Sequence, residues 1–92
     1  MTLLSDAEIG DGLDDSAWVR EGDAIVRDLR FNDFAAAISF VERVAEEAEA
    51  ANHHPDILVH GWNKVRLTLS THSEGGITGA DLALARRLDA LG

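Results

Sequence analysis

Two adjacent imidazoles stand in the stretch Asn52-His53-His54-Pro55, and a third, His72, closes a later strand-like run. An unperturbed imidazole titrates at about 6.5, nearer neutrality than any other side chain. Two or three of them converging on one ligand can give and take protons with little tuning. Histidines also hold zinc. Adjacent histidines point apart in most backbone conformations, however, and this spacing matches no familiar zinc signature. The pattern therefore reads either as a proton-transfer site without a metal or as structural or solvated histidines displayed at a helix exit. The remaining histidine, His60, alternates with Val59 and precedes a glycine, and it reads as solvated.

Other candidates carry two readings each. Asp81 lies three residues past Thr78, where a capping box places its acid. It can equally orient an imidazole or contact a substrate. Trp62 is either core or a flat wall for an aromatic ligand. Glu49 is a solvated helix carboxylate or a site residue. No glycine-rich phosphate loop, serine triad or helical zinc motif is present, and Gly75-Gly76 reads as a turn.

The elements that must position these residues follow from local rules. Ser5-Asp6-Ala7-Glu8 is a capping box that opens a short helix to about Leu13. Ala17 to Glu21 and Ala24 to Phe31 read as strands, joined as a hairpin by Gly22-Asp23. Trp18 on the first of them reads as core. Asn32 is the expected N-cap of the longest helix, about Asp33 to Ala51. Its apolar stripe is Phe34, Ala37, Ile38, Val41, Val44, Ala45 and Ala48. Phe40 falls off that stripe, which makes it an exposed residue or a subunit contact.

Pro55 drives His54 out of helical backbone, so the helix stops at or before it. Ile57 to His60 is then a short strand and Gly61 a break. Lys64 to Thr71 is a strand with Val65, Leu67 and Leu69 on one face and Lys64, Arg66, Thr68 and Ser70 on the other. Thr78 to Asp81 opens the last helix, with Leu84, Leu88 and Leu91 inward and Leu82 and Ala85 beside them. The order α-β-β-α-β-β-α, with hairpins separated by a helix, predicts an α+β fold. It is a four-stranded antiparallel sheet with three helices on one face.

Composition narrows the function classes. At 92 residues the chain is expected to be one domain, 1–92. Its net charge of −9, from 17 acidic and 8 basic side chains, repels phosphate backbones and anionic lipid. Nucleic acid and membrane are therefore not expected partners. With no cysteine, there is no disulfide framework, thiolate nucleophile or sulfur ligand. No apolar run approaches the ~20 residues of a membrane span. Asp6, Glu8 and Asp11 stand where a signal peptide carries basic and apolar residues, so a cytoplasmic location is expected.

Together these residues resemble the pterin-4a-carbinolamine dehydratase family. The resemblance rests on Glu49, three further residues and His53-His54-Pro55. It continues through the aromatic Trp62 with Asn63-Lys64-Val65, then Ser70-Thr71-His72, then the Gly-Ile-Thr stretch before Asp81. It runs from about Phe34 to the end of the chain and is weaker before that. Two departures stand out. The link from Pro55 to Trp62 is at the long end of what the family uses, and Trp62 stands where tyrosine is common. The resemblance implies dehydration of 4a-hydroxytetrahydrobiopterin to quinonoid dihydropterin, in tetrahydrobiopterin recycling. It implies catalytic roles for His53, His54, His72 and Asp81, and substrate contacts from Glu49, Asn52, Pro55, Trp62 and Thr71. It implies a small pterin as ligand, no metal or organic cofactor, and a homodimer or homotetramer. Related folds also serve as non-catalytic dimerisation or assembly factors, which is the alternative.

Overall fold

The computed structural model describes residues 2–91. Helix α1 (Asp6–Gly12) begins at the expected box: Glu8 N–H donates to Ser5 Oγ at 3.1 Å, and Ser5 N–H donates to Glu8 Oε1 at 2.9 Å. That bond from the Ser5 backbone holds the Glu8 carboxyl below its ordinary value. Strands β1 (Val19–Glu21) and β2 (Ala24–Arg30) form the first hairpin, across Gly22 with φ of 61°. The first strand is shorter than its apolar pattern implies. Asp15 is left-handed and Trp18 N–H donates to Ser16 Oγ at 3.1 Å, so side-chain bonding claims the backbone that would have extended the strand.

Helix α2 (Phe34–Ala51) starts one residue later than expected, because Asp33 and not Asn32 is the cap. The Asp33 carboxylate accepts from Ala36 N–H at 2.7 Å. Strands β3 (Asp56–His60) and β4 (Lys64–Leu69) form the second hairpin. A short 3₁₀ turn (His72–Glu74) follows, and helix α3 (Gly79–Asp89) closes the fold. The strand order is β1-β2-β4-β3, antiparallel throughout. The two hairpins therefore join through β2 and β4, the two strands that carry buried residues.

Ile25, Val65, Leu67 and Leu69 line one face of the sheet, all fully buried. Ile9 of α1, Ala37, Phe40 and Val44 of α2, and Leu82, Leu84, Ala85 and Leu88 of α3 complete one cluster with them. The three helices thus cover one face. The other carries Asp28, Arg30 and Lys64 to solvent. Trp18 is core as expected, and its ring N–H donates to Asp89 Oδ1 at 2.9 Å, an oxygen that Arg27 also reaches.

One expectation is overturned. Phe40 is fully buried, while Phe34 is 53% exposed and Ala45 is exposed. The buried residues Ala37, Phe40, Val44 and Ala48 define a face turned by roughly 50° from the expected stripe, at about 100° per residue. Phe31, at the end of β2, sets that rotation. Its ring centroid lies 5.0 Å from that of Phe40, and Arg43 covers the Phe40 ring at 6.0 Å. A fully buried ring cannot be a subunit contact.

Candidate active site

The end of α2 is built by Asn52, which takes left-handed backbone at φ 50° and ψ 42°. Asn52 N–H donates to Glu49 O at 3.2 Å and His53 N–H to Ala48 O at 3.1 Å. These two reverse bonds are the Schellman pattern, and asparagine tolerates the conformation through its short polar side chain. The helix therefore ends three residues before Pro55, which then prevents its resumption. His53 leaves the helix in a fixed direction as a result. A β-branched residue at position 52 resists this backbone. Asn52→Val is expected to lower stability by about 1–2 kcal/mol, whereas Asn52→Gly is expected to cost none. Urea denaturation of both variants checks this.

His53 points toward the start of α3. Its Nε2 lies 2.6 Å from Asp81 Oδ1, with the imidazole 17% exposed and the carboxylate fully buried. Asp81 therefore hydrogen-bonds in two directions. It is the capping-box acid, accepting from Thr78 N–H at 2.9 Å, and it is also the partner of an imidazole. Thr71 Oγ1 donates to Asp81 Oδ2 at 2.9 Å. The Thr71 and Thr78 hydroxyls also lie 2.8 Å apart, within hydrogen-bond distance. Thr78, Thr71 and Asp81 thus form one buried hydrogen-bonded chain. Among the described residues no buried side-chain polar atom lacks a partner, so the network satisfies what it buries. With Nε2 engaged by Asp81, His53 has only Nδ1 left for a ligand.

The neighbouring side chains are more open. His54 Nε2 sits 2.8 Å from Glu49 Oε2, with side chains 58% and 76% exposed. His72 begins the 3₁₀ turn and does not continue β4, because Thr71 bridges back to Gly76. Thr71 thus brings the His72 backbone beside the Asp81 network, while the His72 side chain is exposed. Pro55 is half-buried beside the histidines. Trp62 is not brought to this cluster within one chain. It lies in the β3–β4 turn, 60% exposed and left-handed at φ 57°. The length of β3, about 13 Å by strand geometry, separates it from Pro55. His60 is exposed, as expected. Thr78 is the network member that local reading treats only as a cap; the Thr-x-x-Asp box was its one signal. Among the described residues, no three His, Cys, Asp or Glu side chains converge as a metal-binding group, and no helix is long and apolar enough to cross a membrane.

Comparison with known proteins matches residues 2–91 to the family model for pterin 4 alpha carbinolamine dehydratase. A protein of Nocardia farcinica, itself provisionally assigned as a pterin-4-alpha-carbinolamine dehydratase, is 53% identical over 97% of this chain and 94% of its own. One from Thermomicrobium roseum with the same provisional assignment is 52% identical over 96% and 95%. Among solved structures, the transcriptional coactivator/pterin dehydratase of Brucella melitensis superposes with a TM-score of 0.91 at 34% identity, covering 98% of each chain. A pterin dehydratase-like protein, a RuBisCO assembly factor of the alpha-carboxysome, superposes with a TM-score of 0.69 at 27% identity. That superposition covers 82% of this chain and 88% of the other.

Proposed function

Because the chain belongs to the pterin 4 alpha carbinolamine dehydratase family, we propose that it dehydrates 4a-hydroxytetrahydrobiopterin to quinonoid dihydropterin and water, in tetrahydrobiopterin recycling. The observation that carries the catalytic reading is the 2.6 Å pairing of His53 with buried Asp81. In the reaction the carbon 4a–oxygen bond breaks and the oxygen leaves as water, which requires a proton on that oxygen. Nitrogen 5 loses its proton as the new carbon–nitrogen double bond forms. One acid and one base suffice, and both transfers suit imidazoles near neutral pH.

In this proposal Asp81 fixes the ring orientation and tautomer of His53, as a carboxylate does for a catalytic imidazole elsewhere. His53 exchanges one proton through its remaining nitrogen and His72 exchanges the other. His54, steadied by Glu49, contacts the pterin or its hydroxyl. Asn52, Pro55 and Thr71 shape the site mainly by holding the histidines. Trp62 reaches a pterin only if a second copy of the chain supplies it, in keeping with the homodimer or homotetramer we propose. The protein works in the cytoplasm in this reading, without a metal or organic cofactor.

The test is stopped-flow dehydration of the carbinolamine by purified protein, with the spontaneous reaction subtracted. A rate no higher than the spontaneous one would reject catalysis. It would favour the non-catalytic reading that the RuBisCO assembly factor suggests for this scaffold. His54→Ala is expected to lower the rate less than His53→Ala, because His54 is exposed and its partner is a flexible surface carboxylate. The same assay compares the two.

A further inference from the structure

On the open face of the sheet lies a second set of side chains that dehydration does not use. The pairing registers place Arg30 of β2 opposite Lys64 of β4, and Lys64 opposite His60 of β3. The three form one row across three strands, on the face away from the core. Asp28, Arg66 and Leu58 form the next row. Asp28, Leu29, Arg30, His60, Lys64 and Arg66 line a hollow of about 260 Å³.

The charges in this hollow do not balance. Arg66 donates from Nε to Asp28 Oδ1 at 2.8 Å and from Nη2 to Oδ2 at 3.0 Å, a bidentate grip. That bond holds the Asp28 carboxyl below its ordinary value, so it stays ionised and answers Arg66. Arg30 and Lys64 have no such answer: among the described residues neither forms an ion pair. Elsewhere Arg20, Arg27 and Arg87 each meet a carboxylate. Like charges directly opposite in an antiparallel ladder destabilise it. A chain with 17 acidic residues leaves this pair uncompensated. The turn beside it also accommodates Lys64, whose Nζ lies 3.5 Å from where a Cβ on Gly61 would sit.

We propose that the Arg30–Lys64–His60 row binds the phosphate group of a small molecule. Two permanent positive charges match a dianionic phosphate better than a singly charged carboxylate. Imidazole adds a third donor when its free nitrogen carries a proton. The chain's net charge of −9 repels a long polyanion but not a small ligand seated in a local positive hollow. Within one chain the hollow lies at the His60 end of β3 and the imidazole pair at the Asp56 end, so the two sites are separate.

Heteronuclear NMR titration at constant ionic strength, with chloride as the balancing salt, tests this. The probes are inorganic phosphate and adenosine monophosphate. Expected are saturable shifts at Arg30, His60 and Lys64, none at His53, and about tenfold or greater weakening in Lys64→Gln. Tighter binding of the monophosphate assigns the site to a phosphate ester, and equal binding assigns it to free phosphate. Shifts that grow linearly with concentration, or a Lys64→Gln variant that titrates like the parent, overturn the proposal. Because the readout needs no turnover, its failure is distinguishable from failure of the dehydratase reading.

Discussion

Replacing His53 by glutamine is expected to lower the carbinolamine dehydration rate by about 10²- to 10⁴-fold, the usual contribution of a general acid or base. Glutamine is the informative substitution because its amide N–H can still donate to Asp81. The buried carboxylate then keeps a partner, and the fold should survive with a loss of no more than about 1–2 kcal/mol. Alanine removes the donor as well and leaves Asp81 Oδ1 unmatched, so its effect mixes chemistry with stability. Asp81→Asn gives the complementary measurement. The carboxylate accepts from the Thr71 hydroxyl and the Thr78 N–H and meets the His53 ring nitrogen. An amide presents a donor at one of those positions. We expect about 1–3 kcal/mol lower stability together with a reduced rate. The double variant should be no slower than His53→Gln alone, since Asp81 acts through His53. Stopped-flow rates and urea midpoints measured on the same preparations separate the two effects. A His53→Gln protein that turns over like the parent would remove His53 from the mechanism.

Phe40→Ala is expected to cost about 3–5 kcal/mol, the range for deleting a fully buried aromatic ring. A chain of this length has roughly 5–10 kcal/mol to lose, so the variant should give up about half of its stability. Phe31 loses its ring partner and Arg43 the surface it covers. Phe40→Leu retains most of the volume and should cost less. Denaturant midpoints for both variants, followed by circular dichroism, provide the check. If Phe40 lay on the surface, either change would stay within about 0.5 kcal/mol. Phe34→Ala, by contrast, should fall within that small range, because its ring is more than half exposed.

These two residues show where local pattern suffices and where it does not. Seven helical elements and strands, both capping boxes and the one-sided β4 follow from periodicity within a few residues. So does the end of α2 near the histidines. The registration of α2 on the sheet does not. Spacing finds an apolar arc on the helix, but Phe40 widens that arc in one direction and Phe34 in another. Phe31, on a different element, decides between them. Strand edges behave alike: β1 is shortened by the Ser16 side chain, a competitor that alternation cannot register.

The sequence by itself determined the element order, the helix exit that displays His53 and His54, and a capping box containing Asp81. It also carried the family resemblance through Glu49, the His-His-Pro stretch, Thr71-His72 and Asp81. Tertiary structure alone decided which imidazole Asp81 receives, that Thr71 adds a further hydrogen bond to it, and that Trp62 stands apart. It alone aligned Arg30, Lys64 and His60 in one row. The reason is range. Caps, turns and periodicity act over one or two turns of backbone. His53 and Asp81 are 28 residues apart and meet only because α2 and α3 pack on the same face of the sheet.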